Sequence, residues 1–218
     1  MLNGKKLSIL GDSVSTYYGF SNNREANDST AMNPCFYTKR LFPWEQTYWG
    51  ILIYELGLTL CVNNSWSGGN LSGADNPYSG VSRVSNLSTD SGESPDIIIV
   101  FMGLNDFGRK ISDEVFYKDY EKTLLIIKDK YPGAKVFCVN LPYRDCGVDL
   151  EAKLYNGKIK KATEVAGSNF FVADLFNSEY SGDKFFDNSL VGLHPDQDGM
   201  RMIADVIKNT MIESLKEN

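Results

Sequence analysis

The sequence predicts a three-layer α/β fold built on a parallel sheet of five strands. Three observations carry that expectation. Five short apolar runs, at residues 6–10, 59–63, 96–102, 134–141 and 170–173, alternate with segments of helical periodicity. The third run reads DIIIVFM and is apolar without alternation, as expected for a strand covered on both faces. Strands separated by helices also imply right-handed crossovers, which make neighbouring strands parallel and place helices on both sides of the sheet.

The first helix is expected over residues 46–56. A second is expected over 114–131, where Phe116, Tyr120, Leu124 and Ile127 recur at helical spacing. A third covers 150–166. The last, 198–215, puts Ile203, Val206, Ile207, Thr210 and Met211 on one face. Two stretches, 20–45 and 70–94, are rich in Asn, Ser, Gly or Pro and read as long loops, the second with a short helix near 81–87. Loops of this length in a domain are commonly functional, and both follow strands, where open parallel sheets bind ligands. Without a repeat or a linker, residues 1–218 read as a single domain.

Charge and composition exclude several classes of partner. Against 28 acidic residues stand 22 basic ones, a formal charge of −6. Nucleic acid and anionic membrane surfaces call for a concentrated basic patch, and only Lys158, Lys160 and Lys161 cluster, on a helix face expected to be solvated. The first residues carry two lysines and a short apolar run, not the roughly 7–15 apolar residues of a secretory signal. No segment approaches the roughly 18 apolar residues of a membrane helix. Cys35, Cys61, Cys138 and Cys146 lack metal-binding or redox spacing, and Cys61 and Cys138 fall in strands expected to be buried. Free thiols in a cytoplasmic protein are the expectation. One histidine and scattered cysteines make no metal site, and no phosphate loop follows the first strand, so neither metal nor cofactor is expected.

Chemistry gathers at the carboxyl ends of the strands. The first strand runs into Gly11-Asp12-Ser13, which holds a serine on a tight turn beside backbone N–H groups that can bind an oxyanion. The second ends in Asn63-Asn64-Ser65-Trp66-Ser67-Gly68-Gly69, where a backbone without side chains can approach a ligand. The third ends in Gly103-Leu104-Asn105-Asp106, placing an amide donor at the same edge. A hydroxyl, a backbone N–H and an amide are the set that acyl transfer needs. His194, in Gly192-Leu193-His194-Pro195 ahead of the last helix, is the sole histidine and hence the candidate base. Asp12 and Asp106 are expected to brace turns through backbone hydrogen bonds. Trp66, Leu104, Phe107, Tyr17 and Arg144 are candidates to line the pocket, and the aromatics of Glu45-Gln46-Thr47-Tyr48-Trp49-Gly50 are expected in the core.

Four blocks in this order, GDSVS, NNSWSGG, GLND and LHP, resemble the SGNH (GDSL-type) hydrolase superfamily across nearly the whole chain, most closely bacterial esterases and acylhydrolases. The resemblance implies a flavodoxin-like sheet and metal-free ester hydrolysis through an acyl-enzyme. It makes Ser13 the nucleophile and His194 the base. It builds the oxyanion hole from the Ser13 and Gly68 N–H groups and the Asn105 side chain.

One position departs from that pattern. The family usually carries aspartate three residues before the histidine, and this chain has Val191. Either Asp187, Asp183 or Asp196 reaches the imidazole from elsewhere, or a main-chain carbonyl near Val191 holds it in a Ser-His dyad. The expected substrate is a small carboxylic ester; the polar, Asn-rich loops suit an acetylated carbohydrate, with short-chain acyl esters, thioesters and lysophospholipids left open. The alternative is a catalytically silent homologue that binds a ligand in the same crevice. Oligomeric state is not legible in the sequence.

Overall fold

Each of the five apolar runs forms a strand of one parallel sheet. They are β1 (Lys6–Gly11), β2 (Thr59–Ser65), β3 (Ile97–Phe101), β4 (Lys135–Val139) and β5 (Phe170–Ala173), in the order β2-β1-β3-β4-β5. The computed structural model describes residues 2–21, 35–142, 149–182, 184 and 187–216. Strand β3 is central and buried along its whole length, which explains its unbroken Ile-Ile-Ile-Val-Phe run. Its register pairs Leu7 with Ile97 and Gly11 with Phe101, so β1 and β3 end level with one another. The order places β1 and β3 side by side with β2 beyond β1, which brings the Ser13, Asn64 and Asn105 segments to one edge.

Helices flank the sheet. They are α1 (Tyr48–Leu56), α2 (Gly80–Arg83), α3 (Leu104–Gly108), α4 (Asp113–Lys130), α5 (Asp149–Ala166) and α6 (Gln197–Glu213). One group consists of α1 packed on α6, and the other of α4 packed on α2 and α5. The expected stripe Phe116, Tyr120, Leu124 and Ile127 is buried on α4, and Ile203, Ile207 and Met211 are buried on α6. Helix α4 is started by the Ser112 side chain, which accepts from Val115 N–H at 3.3 Å. Its acidic first turn and its lysines in the last turn complement the helix dipole. Lys158 pairs with Asp113 at 3.1 Å and Lys161 lies over the Tyr117 ring, so part of the lysine cluster braces α5 against α4.

Several boundaries differ from the sequence reading. Residues 44–46 form a separate 3-10 turn and α1 begins at Tyr48, because Thr47 caps it by accepting from Gly50 N–H at 3.1 Å. The short helix expected near 81–87 is Gly80–Arg83. Helix α3, five residues long, is too short to show a period and was not legible in the sequence. Neither was the antiparallel pair β6 (Ser189–Val191) and β7 (His194–Pro195). Cys61 is half-buried, not buried, and among the described residues Cys35, Cys61 and Cys138 form no disulfide. Cys146 lies outside the described residues. No helix of the described residues is long and apolar enough to cross a membrane.

Candidate active site

The nucleophile turn is a single 3-10 turn, Ser13–Ser15, that follows directly on β1. Its entry is set by packing: a Cβ on Gly11 would collide with the Ser15 side chain and the Ser65 hydroxyl. Asp12 starts the turn, its carboxylate accepting from Val14 N–H at 3.0 Å and its carbonyl from Ser15 N–H at 3.1 Å. This is the bracing role expected of it. Asp12 is fully buried, and desolvation pushes its carboxyl up to about 7; Asp106 adds to the rise while Val14 N–H and Arg83 oppose it.

At the end of β3, Gly103 takes φ +126°, a conformation suited to glycine. A Cβ there would also press on Phe116 and Leu141 at 3.1 and 3.2 Å. The turn delivers Asn105 to the edge, where its Nδ2 donates to Gly69 O at 3.1 Å and lies 3.4 Å from Asp12 Oδ2. Asp106 turns inward and its carboxylate accepts from Leu71 and Ser72 N–H at 2.6 and 2.9 Å, fastening the 70–94 loop to α3.

His194 arrives on the β6–β7 hairpin. Its Nε2 is 3.0 Å from Ser13 Oγ, and its Nδ1 is 3.2 Å from the Val191 carbonyl oxygen. A carbonyl only accepts, so Nδ1 carries the hydrogen and Nε2 of the neutral ring accepts from the serine hydroxyl. Burial lowers the imidazole pKa from its ordinary value, partly opposed by the Val191 hydrogen bond. Of the carboxylates weighed for this place, Asp196 caps α6 by accepting from Gly199 N–H at 2.9 Å. Asp187 is exposed. Asp183 lies outside the described residues.

Ser13, Asn105 and His194 line one cavity of about 260 Å³, together with Asp12, Val14, Leu104, Val191, Gly192 and Leu193. Gly68 is not in that lining. It sits in the turn after β2, next to Gly69, whose carbonyl accepts the Asn105 amide, and its own carbonyl accepts from Arg109 at 2.8 Å. Of the pocket candidates, Leu104 lines the cavity. Trp66 stacks on Tyr78 with ring centroids 4.1 Å apart, and Phe107 packs edge-on against Tyr155. Tyr17 is buried in the core with its hydroxyl donating to Phe42 O at 2.8 Å, and Arg144 is outside the described residues.

Three neighbours of the site had no signal in the sequence. Phe36 lies flat on the His194 ring, with centroids 3.5 Å apart and planes 4° from parallel. The Thr16 hydroxyl donates to Ser13 O at 2.8 Å and accepts from Phe36 N–H at 2.8 Å. Arg83, a buried residue of α2, donates to Gly11 O at 3.0 Å, to Tyr78 O at 2.9 Å and to the Asn64 carbonyl, tying together the ends of β1 and β2. Its position on a short helix inside a polar loop gives no periodicity to read, and contacts to backbone carbonyls leave no pattern of residue types.

The family model of GDSL-like lipase/acylhydrolase matches residues 5–211. A solved structure from Bacteroides ovatus, assigned as a GDSL-like lipase, superposes with a TM-score of 0.72 at 23% identity, covering 97% of this chain and 99% of that one. A family 2 carbohydrate esterase with a carbohydrate-binding domain, from Myceliophthora fergusii, gives 0.68 at 21% identity over 97% of this chain and 67% of that one. A family two carbohydrate esterase from Clostridium thermocellum gives 0.65 at 18% identity over 97% and 64%. At these identities the solved structures speak for the fold. A search of curated proteins finds no match. With the family model matching nearly end to end, the chain belongs to the GDSL-like lipase/acylhydrolase family of carboxylic ester hydrolases.

Proposed function

We propose that the protein hydrolyses a small carboxylic ester through an acyl-enzyme on Ser13, with His194 as base. The observation that carries this reading is the 3.0 Å contact between Ser13 Oγ and His194 Nε2, in a ring whose Nδ1 hydrogen is engaged by Val191 O. As Oγ bonds to the ester carbon, its proton passes to Nε2. The negative charge gathers on the former carbonyl oxygen, which the Ser13 N–H and Asn105 Nδ2 receive from the cavity wall, with the Gly68 N–H as a third donor from the turn just outside that lining. Asn105 Nδ2 donates to Gly69 O at 3.1 Å and to Asp12 Oδ2 at 3.4 Å, and the longer, weaker bond to Asp12 is the one the oxyanion would displace. Collapse breaks the bond to the alcohol, which takes the Nε2 proton. Water then repeats the sequence on the acyl-enzyme and restores the serine.

The cavity walls support this substrate class. Val14, Leu104, Val191 and Leu193 make an aliphatic surround beside Ser13, suited to a short acyl group in a cavity of about 260 Å³. Two carbohydrate esterases among proteins of the same fold support an acetylated sugar as the ester.

Hydrolysis of p-nitrophenyl acetate tests the reading: turnover by the wild type and none by Ser13→Ala, with an unchanged melting curve. Retained turnover in the variant sinks it. The missing carboxylate at Nδ1 favours one other reading, a silent homologue that binds ligands in the crevice. Failure of the wild type to label with a fluorophosphonate probe would select that one.

A further inference from the structure

In a Ser-His-Asp triad the carboxylate does two things: it fixes the imidazole tautomer and it stabilises the imidazolium that forms as the serine is deprotonated. Val191 O does the first here. A neutral carbonyl offers less toward the second, and Phe36 occupies the face of the ring where that help can come from.

The contact is unusual in geometry. Aromatic pairs ordinarily sit edge-on or offset, with centroids about 4.5–7 Å apart, because two negative faces repel. Phe36 and His194 are face to face, 3.5 Å and 4° apart. That arrangement suits a cation over a π face better than two neutral rings. The phenyl ring is also held from both sides of the site. Its backbone N–H donates to Thr16, whose hydroxyl donates to the carbonyl of Ser13. The next residue, Tyr37, packs edge-on against Phe36 and donates its hydroxyl to Pro195 O at 2.9 Å. Phe36 is therefore linked to the nucleophile turn through Thr16, and to the histidine turn by its own ring and through Tyr37.

We propose that Phe36 is a positioning residue of this hydrolase, its π face stabilising the His194 imidazolium where relatives use a carboxylate. The proposal rests on the Ser13–His194 reading above. On the elements packed around the imidazole, the titratable groups among the described residues include Asp12, Cys35, Tyr37, Asp106, Tyr180, Asp196 and Asp198. All of them remain in the variants below, so a change in titration reports residue 36.

The chain has one histidine, so its imidazole resonances are unique in an NMR titration. Phe36→Leu keeps an apolar side chain and removes the π face. The His194 pKa should fall by about half a unit to one unit in this variant, the range of a cation–π contact. Phe36→Tyr should keep the wild-type value. With p-nitrophenyl acetate, kcat should fall about three- to tenfold in Phe36→Leu with KM unchanged, and recover in Phe36→Tyr. A pKa that stays or rises in Phe36→Leu overturns the proposal, because a ring that only excludes water would depress the pKa and its loss would relax it upward. The two readings fail differently. An inactive wild type sinks the hydrolase, whereas an active wild type whose His194 pKa ignores residue 36 sinks the role of Phe36.

Discussion

The Val191 carbonyl oxygen accepts the Nδ1 hydrogen of His194 across 3.2 Å, from within the same small hairpin that carries the histidine. The contact is between main chain and ring, so it does not depend on the side chain at 191. That explains how a valine can stand at the usual aspartate position while the imidazole still points Nε2 at Ser13.

Val191→Asp tests this directly. The Val191 side chain is largely exposed and its carbonyl already holds Nδ1, so a carboxylate added there has no vacant hydrogen to take. Its kcat on p-nitrophenyl acetate should stay near wild type. A gain above about tenfold would show that a carboxylate can displace the carbonyl, since removing one from an intact triad costs about 10⁴.

The pH profile follows from the state of His194. The base must be neutral to accept the serine proton, and burial holds its pKa below the ordinary 6.5. The acid limb of kcat/KM should therefore lie below pH 6.5, with activity rising as pH increases through it. A limb above that value would mean that the imidazole is charged more readily than its surroundings imply.

Asn105→Ala should lower kcat by about 10²–10³, the loss seen when one side-chain donor leaves an oxyanion hole. KM should change little, because the bond strengthens only as charge develops. An unchanged kcat would remove Asn105 from the hole and leave it a brace for Gly69 O.

Arg83 is predicted to matter for stability. Its buried guanidinium serves the carbonyls of Gly11, Asn64 and Tyr78, and burial lowers its pKa to about 10. Arg83→Met would remove the guanidinium donors from all three, leaving Gly11 O its bond from Trp66 N–H at 3.1 Å, at a cost of about 3 kcal/mol in urea unfolding. A loss below about 1 kcal/mol would mean that the strand ends hold without it.

Much of the molecule was legible before any coordinates. The uniform apolar run of β3 marked a strand covered on both faces, and the spacing of Phe116, Tyr120, Leu124 and Ile127 marked the buried side of α4. These signals survive in sequence because burial acts on consecutive residues at a fixed period. Ser13, Asn105 and His194 were legible too, since each sits at the end of an element that the pattern locates, and they meet around one cavity. What tertiary structure decided were contacts with no period: the Val191 carbonyl on Nδ1, the Phe36 ring on the imidazole, and Arg83 under the strand ends. A backbone carbonyl is present at every residue, and a loop phenylalanine carries no mark of what it will face. Val191 O reaches the ring from three residues away within one hairpin, whereas Phe36 reaches it across 158 positions of chain that only the tertiary fold brings together.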